Sequence, residues 1–196
     1  MLHIVDDEEV IRDALCWLAQ TRGIAVAAYE DGQAFLDALG ERVGIAAEGE
    51  CLLLDMRMPR LAGLPLFETL HARGLSAQLP VIFLTGHADV PMAVDALKRG
   101  AFDFFEKPFN DNKLMDRVEE ALAASRAALA GVAVQQRLAN LSAREREVLE
   151  LILEGRMNKV IADQLGISMR TVEVHRAHIF EKMGVKTAVE LARLLR

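Results

Sequence analysis

Asp6, Asp7, Asp55, Thr85 and Lys107 are side chains of the types needed to receive and hold a phosphoryl group. Three carboxylates drawn close together repel one another, and stay ionised together only when a cation joins them. An oxygen-only donor set suits Mg²⁺, which keeps several waters and takes one or two carboxylates directly. A carboxylate can attack phosphorus to form an acyl phosphate, and a bound ion offsets the repulsion between it and the incoming group. A lysine supplies a point charge to phosphoryl oxygens, and a threonine hydroxyl donates a hydrogen bond to one of them. Taken singly, Asp55 is a strand-end cap or turn residue, Lys107 a surface lysine and Thr85 the end of a strand. Their shared position along the chain argues otherwise.

Each lies at the end of an apolar run. Leu2-His3-Ile4-Val5 stops at Asp6-Asp7, Cys51-Leu52-Leu53-Leu54 at Asp55, Leu79 to Leu84 at Thr85, and Phe102 to Phe105 at Glu106-Lys107-Pro108. Short apolar runs bounded by turn residues read as strands buried on both faces. Ile24 to Tyr29 is a further strand. Helical periods cover Glu8 to Gln20, with apolar Val10, Ile11, Ala14, Leu15 and Leu18, then Asp31 to Leu39, Gly63 to Arg73, Pro91 to Arg99 and Asp111 to Ala124. Strands alternating with helices imply a five-stranded parallel, doubly wound α/β sheet with right-handed crossovers. The carboxyl ends of its strands then bring the five residues to one crevice, the edge at which open α/β sheets bind ligands.

Charge divides the chain. Residues 1–124 carry 11 Lys+Arg against 21 Asp+Glu, whereas residues 125–196 carry 12 against 8. The acidic part suits a cation and the basic part a polyanion. No apolar run is long enough to cross a bilayer and no basic, hydrophobic leader opens the sequence, so a cytoplasmic location without membrane attachment is expected. Cys16 and Cys51 sit on a helical period and in a buried strand, where they read as small core residues rather than as a disulfide.

Residues 125–140 are Ala-rich and extend the fifth helix into a linker, interrupted by Gly131. Beyond them the pattern is all-α, with four short helices around a small core. Ser142-Ala143-Arg144-Glu145 is a capping box, Asn158 caps a helix to Leu165, Ser168 caps one to Met183, and Thr187 to Glu190 is a second capping box. Gly166-Ile167-Ser168 joins the middle pair with helix-turn-helix spacing. Val172, Ile179 and Met183 are core candidates. Arg170, Thr171, Glu173, Val174, Arg176 and Ala177 face outward, where Arg and Thr can meet phosphates or base edges, Glu a cytosine amino group and Val a thymine methyl. Lys159, Lys182 and Lys186 complete the candidate nucleic-acid contacts, and a solvated charged face is the alternative reading.

The first part of the chain resembles the receiver domain of bacterial two-component response regulators. The likeness rests on Asp6-Asp7, Asp55-Met56-Arg57-Met58-Pro59 with Gly63, Thr85-Gly86, and Phe105-Glu106-Lys107-Pro108-Phe109, in the family's order and spacing. It implies a flavodoxin-like fold and phosphorylation of Asp55 by a sensor histidine kinase. It further implies Mg²⁺ held by Asp6, Asp7, Asp55 and the backbone carbonyl of Arg57, with Thr85 and Phe104 as the switch. Ala62, where an acidic or small polar residue is common, and Pro65, in the first turn of a helix, depart from the pattern without touching the chemistry. Residues 141–195 resemble a LuxR-type DNA-binding domain through Asn158 to Ala162, Leu165 to Ser168 and Thr171 to His175, with His175 structural. Together the parts resemble the NarL/FixJ regulators, the run Thr85 to Val94 leaning to the FixJ side. The resemblance implies residues 1–124 as receiver, 125–140 as linker and 141–196 as DNA-binding domain. It implies promoter DNA and a phosphorylation-driven homodimer as partners, through the fourth helix and fifth strand, and admits RNA polymerase as another.

Two other readings use the same residues. A phosphohydrolase of Rossmann-like fold also forms an aspartyl phosphate, but it needs a second Asp two residues after the nucleophile, where Arg57 stands, and a cap domain. A DNA-binding protein whose first domain is a scaffold indifferent to phosphate would not need the complete acidic set. The expected protein is therefore a phosphoacceptor rather than a turnover enzyme.

Overall fold

The computed structural model describes residues 1–40, 42, 44–86 and 90–195, without the side chains of Val90, Pro91 and Ala93. His87 to Asp89, part of the run that leans to the FixJ side, lie outside the described residues. The chain divides into two units, Met1–Leu129 and Ala130–Arg196.

In the first unit, β1 (Leu2–Val5), β2 (Val26–Tyr29), β3 (Cys51–Asp55), β4 (Val81–Thr85) and β5 (Asp103–Glu106) form one parallel sheet in the order β2-β1-β3-β4-β5. Side chains alternate across it as the strand period of two requires. Val5, Leu52, Leu54 and Phe83 point to one face, against α2 (Gly32–Leu39), α3 (Gly63–Ala72) and α4 (Val90–Lys98). Leu2, Ile4, Leu53, Ile82 and Leu84 point to the other, against α1 (Glu9–Thr21) and the first half of α5 (Asp111–Ala139). Both faces are covered, which explains why β3 and β4 are buried at every position. The chain passes from β1 outward to β2 and then back across β1 to β3, so the strand order reverses beside β1. That switch opens the crevice between the ends of β1 and β3.

Gly63 makes the crevice compact. A Cβ at this position would lie 2.3 Å from the Asp55 carbonyl oxygen, and the Gly63 N–H donates to the Met56 carbonyl at 3.2 Å. Only glycine lets α3 begin so close to the end of β3.

The second unit packs Leu141, Val148, Leu149, Ile161, Val172, Ile179, Met183 and Leu191 into its own core. Its helices are α6 (Ala143–Leu153), α7 (Asn158–Leu165), α8 (Met169–Met183) and α9 (Ala188–Leu194), joined by the last turns of α5 through Val134 and Leu138. Gly166 turns between α7 and α8 in the left-handed conformation, with φ 64°. Two expectations differ from what is observed. Helix α5 continues through Gly131 to Ala139, because its apolar positions Val134 and Leu138 have a core to join. Asn158 opens α7 as a helical residue, while Met157 stands at its cap without a side-chain bond. No helix among the described residues is long and apolar enough to cross a membrane.

Candidate functional site

Asp6 follows β1 with no exposed surface, and its Oδ1 accepts the Glu8 backbone N–H at 2.9 Å. Asp55 closes β3 and is 6% exposed; its Oδ2 accepts the Arg57 backbone N–H at 2.7 Å. Lys107, just past β5, joins the two. Its ammonium donates to Asp6 Oδ2 at 2.8 Å and lies 2.6 Å from Asp55 Oδ1, with Glu8 Oε1 at 3.6 Å. Burial raises the Asp55 carboxyl above its ordinary pKa, with Lys107 and the Arg57 N–H pulling against it. Burial also works against the Lys107 charge, but its bonds to Asp55 and Asp6 prevail and hold the ammonium above its ordinary value.

Thr85 ends β4 fully buried, and its hydroxyl donates to the Gly86 carbonyl at 3.0 Å. Its own carbonyl accepts the Lys107 N–H at 2.8 Å, which ties the threonine to the lysine through the main chain. Phe104 is half-buried on β5 opposite Phe83. The Lys107–Pro108 peptide is cis.

The third carboxylate stands apart from this bonded set. Asp7 is exposed and lines an open cleft of about 520 Å³ with Met56, Arg57, Met58, Pro59, Ala62 and Met92. Among the described residues no group of three or more His, Cys, Asp and Glu is set to hold a metal ion. The two buried carboxylates share one ammonium, so the bonded trio is Asp6, Asp55 and Lys107. In kind, however, the donors fit Mg²⁺, since all those facing the crevice and the adjoining cleft are oxygens.

In the second unit, Ser168 caps α8 by accepting the Thr171 N–H at 3.1 Å, with the Thr171 hydroxyl 2.8 Å from Ser168 Oγ. Arg170, Glu173, Val174 and Ala177 are exposed along α8, as are Lys159 on α7 and Lys186 after α8. Arg176 is half-buried, with its guanidinium 5.3 Å from the Phe180 ring centroid, a cation–π contact. Lys182 is exposed and bound within the unit, its ammonium to Glu145 at 2.7 Å and to the Asn140 carbonyl at 3.3 Å, which fastens α8 to α6.

Two family models match the chain. A model for the response regulator receiver domain matches residues 2–119, and one for bacterial regulatory proteins of the luxR family matches residues 139–195. The chain belongs to the response regulators, in the NarL/FixJ family. This response regulator is 52% identical to the C4-dicarboxylate transport transcriptional regulatory protein DctR of Rhodobacter capsulatus, over 98% of each chain. It is 44% identical to the transcriptional regulatory protein FixJ of Azorhizobium caulinodans, over 98% of this chain and 90% of that one. Among solved structures it resembles full-length FixJ from B. japonicum, with TM-score 0.60 and 41% identity over 98% and 94% of the two chains. It also resembles the response regulator StyR, with TM-score 0.69 and 37% identity over 99% and 96%. The family makes it a transcription regulator with a receiver and a DNA-binding domain.

Two features escaped the sequence analysis. Val10, counted with the helical apolar period of α1, is 81% exposed, and with Trp17 at 66% it borders an apolar groove that includes Phe109. Arg60 holds the left-handed φ of 65°, and its guanidinium donates to buried Asp31 at 3.1 Å, tying the loop after Asp55 to the cap of α2. Asp31, counted within the helical period, is the cap of α2, and its arginine partner is remote in sequence.

Proposed function

We propose that this regulator accepts a phosphoryl group on Asp55 from a sensor histidine kinase, and that the acyl phosphate governs pairing of two copies and their grip on specific promoter DNA. The supporting observation is the bonded set of Asp55, Lys107 and Asp6 at the carboxyl edge of the sheet, in a chain that also has a LuxR-type domain. In the transfer, an Asp55 oxygen bonds phosphorus as the donor nitrogen–phosphorus bond breaks, its electron pair returning to the donor imidazole. The Lys107 ammonium, already on Asp55, is placed to meet the new phosphoryl oxygens. The Thr85 hydroxyl reaches them by leaving the Gly86 carbonyl, and Phe104 repacks with it as the second part of the switch. Mg²⁺ would be held by Asp6, Asp7, Asp55 and the Arg57 carbonyl, and would supply charge that offsets the repulsion between carboxylate and phosphoryl group.

The assignment gives residues 1–124 the receiver role, 125–140 the linker and 141–196 the DNA contacts. The helix-turn-helix meets DNA through Lys159, Arg170, Thr171, Glu173, Val174, Arg176 and Lys186, in the cytoplasm. Incubation with Mg²⁺ and radiolabelled acetyl phosphate should give a base-labile label on the wild type and none on Asp55→Asn. Genomic footprinting of both proteins should show sites that the variant loses. Undiminished labelling of Asp55→Asn would sink the assignment.

A further inference from the structure

We propose that the middle of the exposed ridge on α8 reads pyrimidines, Val174 and Ala177 packing on thymine methyl groups and Glu173 accepting from a cytosine amino group. The inference rests on the proposed DNA contacts and deepens them by naming the bases read. Positions three and four apart share a helix face, so Arg170, Glu173, Val174 and Ala177 form one exposed ridge opposite buried Val172, Ile179 and Met183. A recognition helix presents such a ridge to base edges in the major groove.

The ridge has an unusual make-up for that task. Bidentate readout of guanine needs Arg or Lys, and that of adenine Asn or Gln. Past Arg170, in the first turn, the ridge has neither pair. The two other cations of α8 lie off this ridge, Arg176 half-buried against the Phe180 ring and Lys182 on Glu145. What the middle offers is a carboxylate at Glu173, the isopropyl group of Val174, 47% exposed, and the methyl of Ala177. A carboxylate can only accept, which selects the cytosine amino group, and apolar carbons gain most against the thymine methyl. Arg176, Lys159 and Lys186 are left for phosphates.

The full chain, with Mg²⁺ and acetyl phosphate, is used to select duplexes from a randomised library. An enriched duplex is then remade with deoxyuridine in place of each thymidine in turn, which removes only a methyl group. At one or two positions the wild type should bind about three- to fivefold more weakly. Val174→Ala should show a similar loss on the thymidine duplex, no further loss at one of those positions, and an unchanged salt slope. Glu173→Gln should change the preferred base at a neighbouring position from cytosine to adenine. If no position responds to methyl removal, or both proteins respond alike everywhere, the inference falls while DNA binding stands. If no sequence is enriched at all, the DNA-binding part of the proposed function falls and the inference with it.

Discussion

Gly63 lies so close to Asp55 that a β-carbon on it would stand 2.3 Å from the Asp55 carbonyl oxygen. The neighbour is backbone at the end of a fully buried strand, so it cannot yield as a flexible side chain would. Gly63→Ala should therefore lower stability by about 2 to 3 kcal/mol through overpacking, measured by urea unfolding. The same change displaces the loop bearing Arg57 from the phosphoacceptor, so labelling by acetyl phosphate should slow as well.

Among the described residues, Lys107 is the ammonium that joins Asp55 and Asp6. Lys107→Ala leaves two buried carboxylates facing each other without their cation, and should cost about 2 to 3 kcal/mol. Adding Asp6→Asn removes one of the stranded charges. The double variant should regain about 1 to 2 kcal/mol relative to the sum of the single losses, and additive losses in the cycle would show the two groups to be uncoupled.

Ser125 lies on α5 with no exposed surface, and its hydroxyl satisfies two main-chain groups at once. It donates to the Gln78 carbonyl at 2.6 Å and accepts the Glu50 N–H at 3.0 Å. Ser125→Ala strands both in the interior. A loss of about 2 kcal/mol in chemical unfolding is expected, with faster hydrogen exchange at the Glu50 amide.

The sheet was legible because its strands are short apolar runs ending in chemistry-bearing residues, and burial on both faces leaves little freedom in how such runs pair. Convergence of Asp6, Asp55 and Lys107 followed from topology alone. Which of them touch did not. Asp6 and Asp7 are adjacent in sequence and equally acidic, yet one is buried on Lys107 and the other exposed, a difference set by the path of the chain after β1. The extension of α5 was legible, but its passage through Gly131 was not, since that depends on the core that Val134 and Leu138 join. Lys182 looked like any recognition-helix lysine, and only its distance from Glu145, 37 residues away, reveals the pair.

That pair carries a pH signature. The bond from Lys182, together with the Ser142 N–H and against partial burial, drives the Glu145 carboxyl from an ordinary 4.5 down to about 2. His178 Nδ1 stands 3.8 Å from the Glu145 carboxylate. A carboxyl whose folded pKa is depressed contributes stability that is complete above its unfolded value and is lost as pH falls through the folded one. The second unit should therefore weaken between about pH 4.5 and pH 2, followed by hydrogen exchange of the α6 amides. Glu145→Gln keeps a capping-box side chain at this position but removes the charge, so its stability should be lower near neutrality and should change less over that window. Glu145→Ala loses the cap as well and should cost about 1 to 2 kcal/mol at neutral pH. Equal acid sensitivity of wild type and Glu145→Gln would assign the transition to another carboxylate.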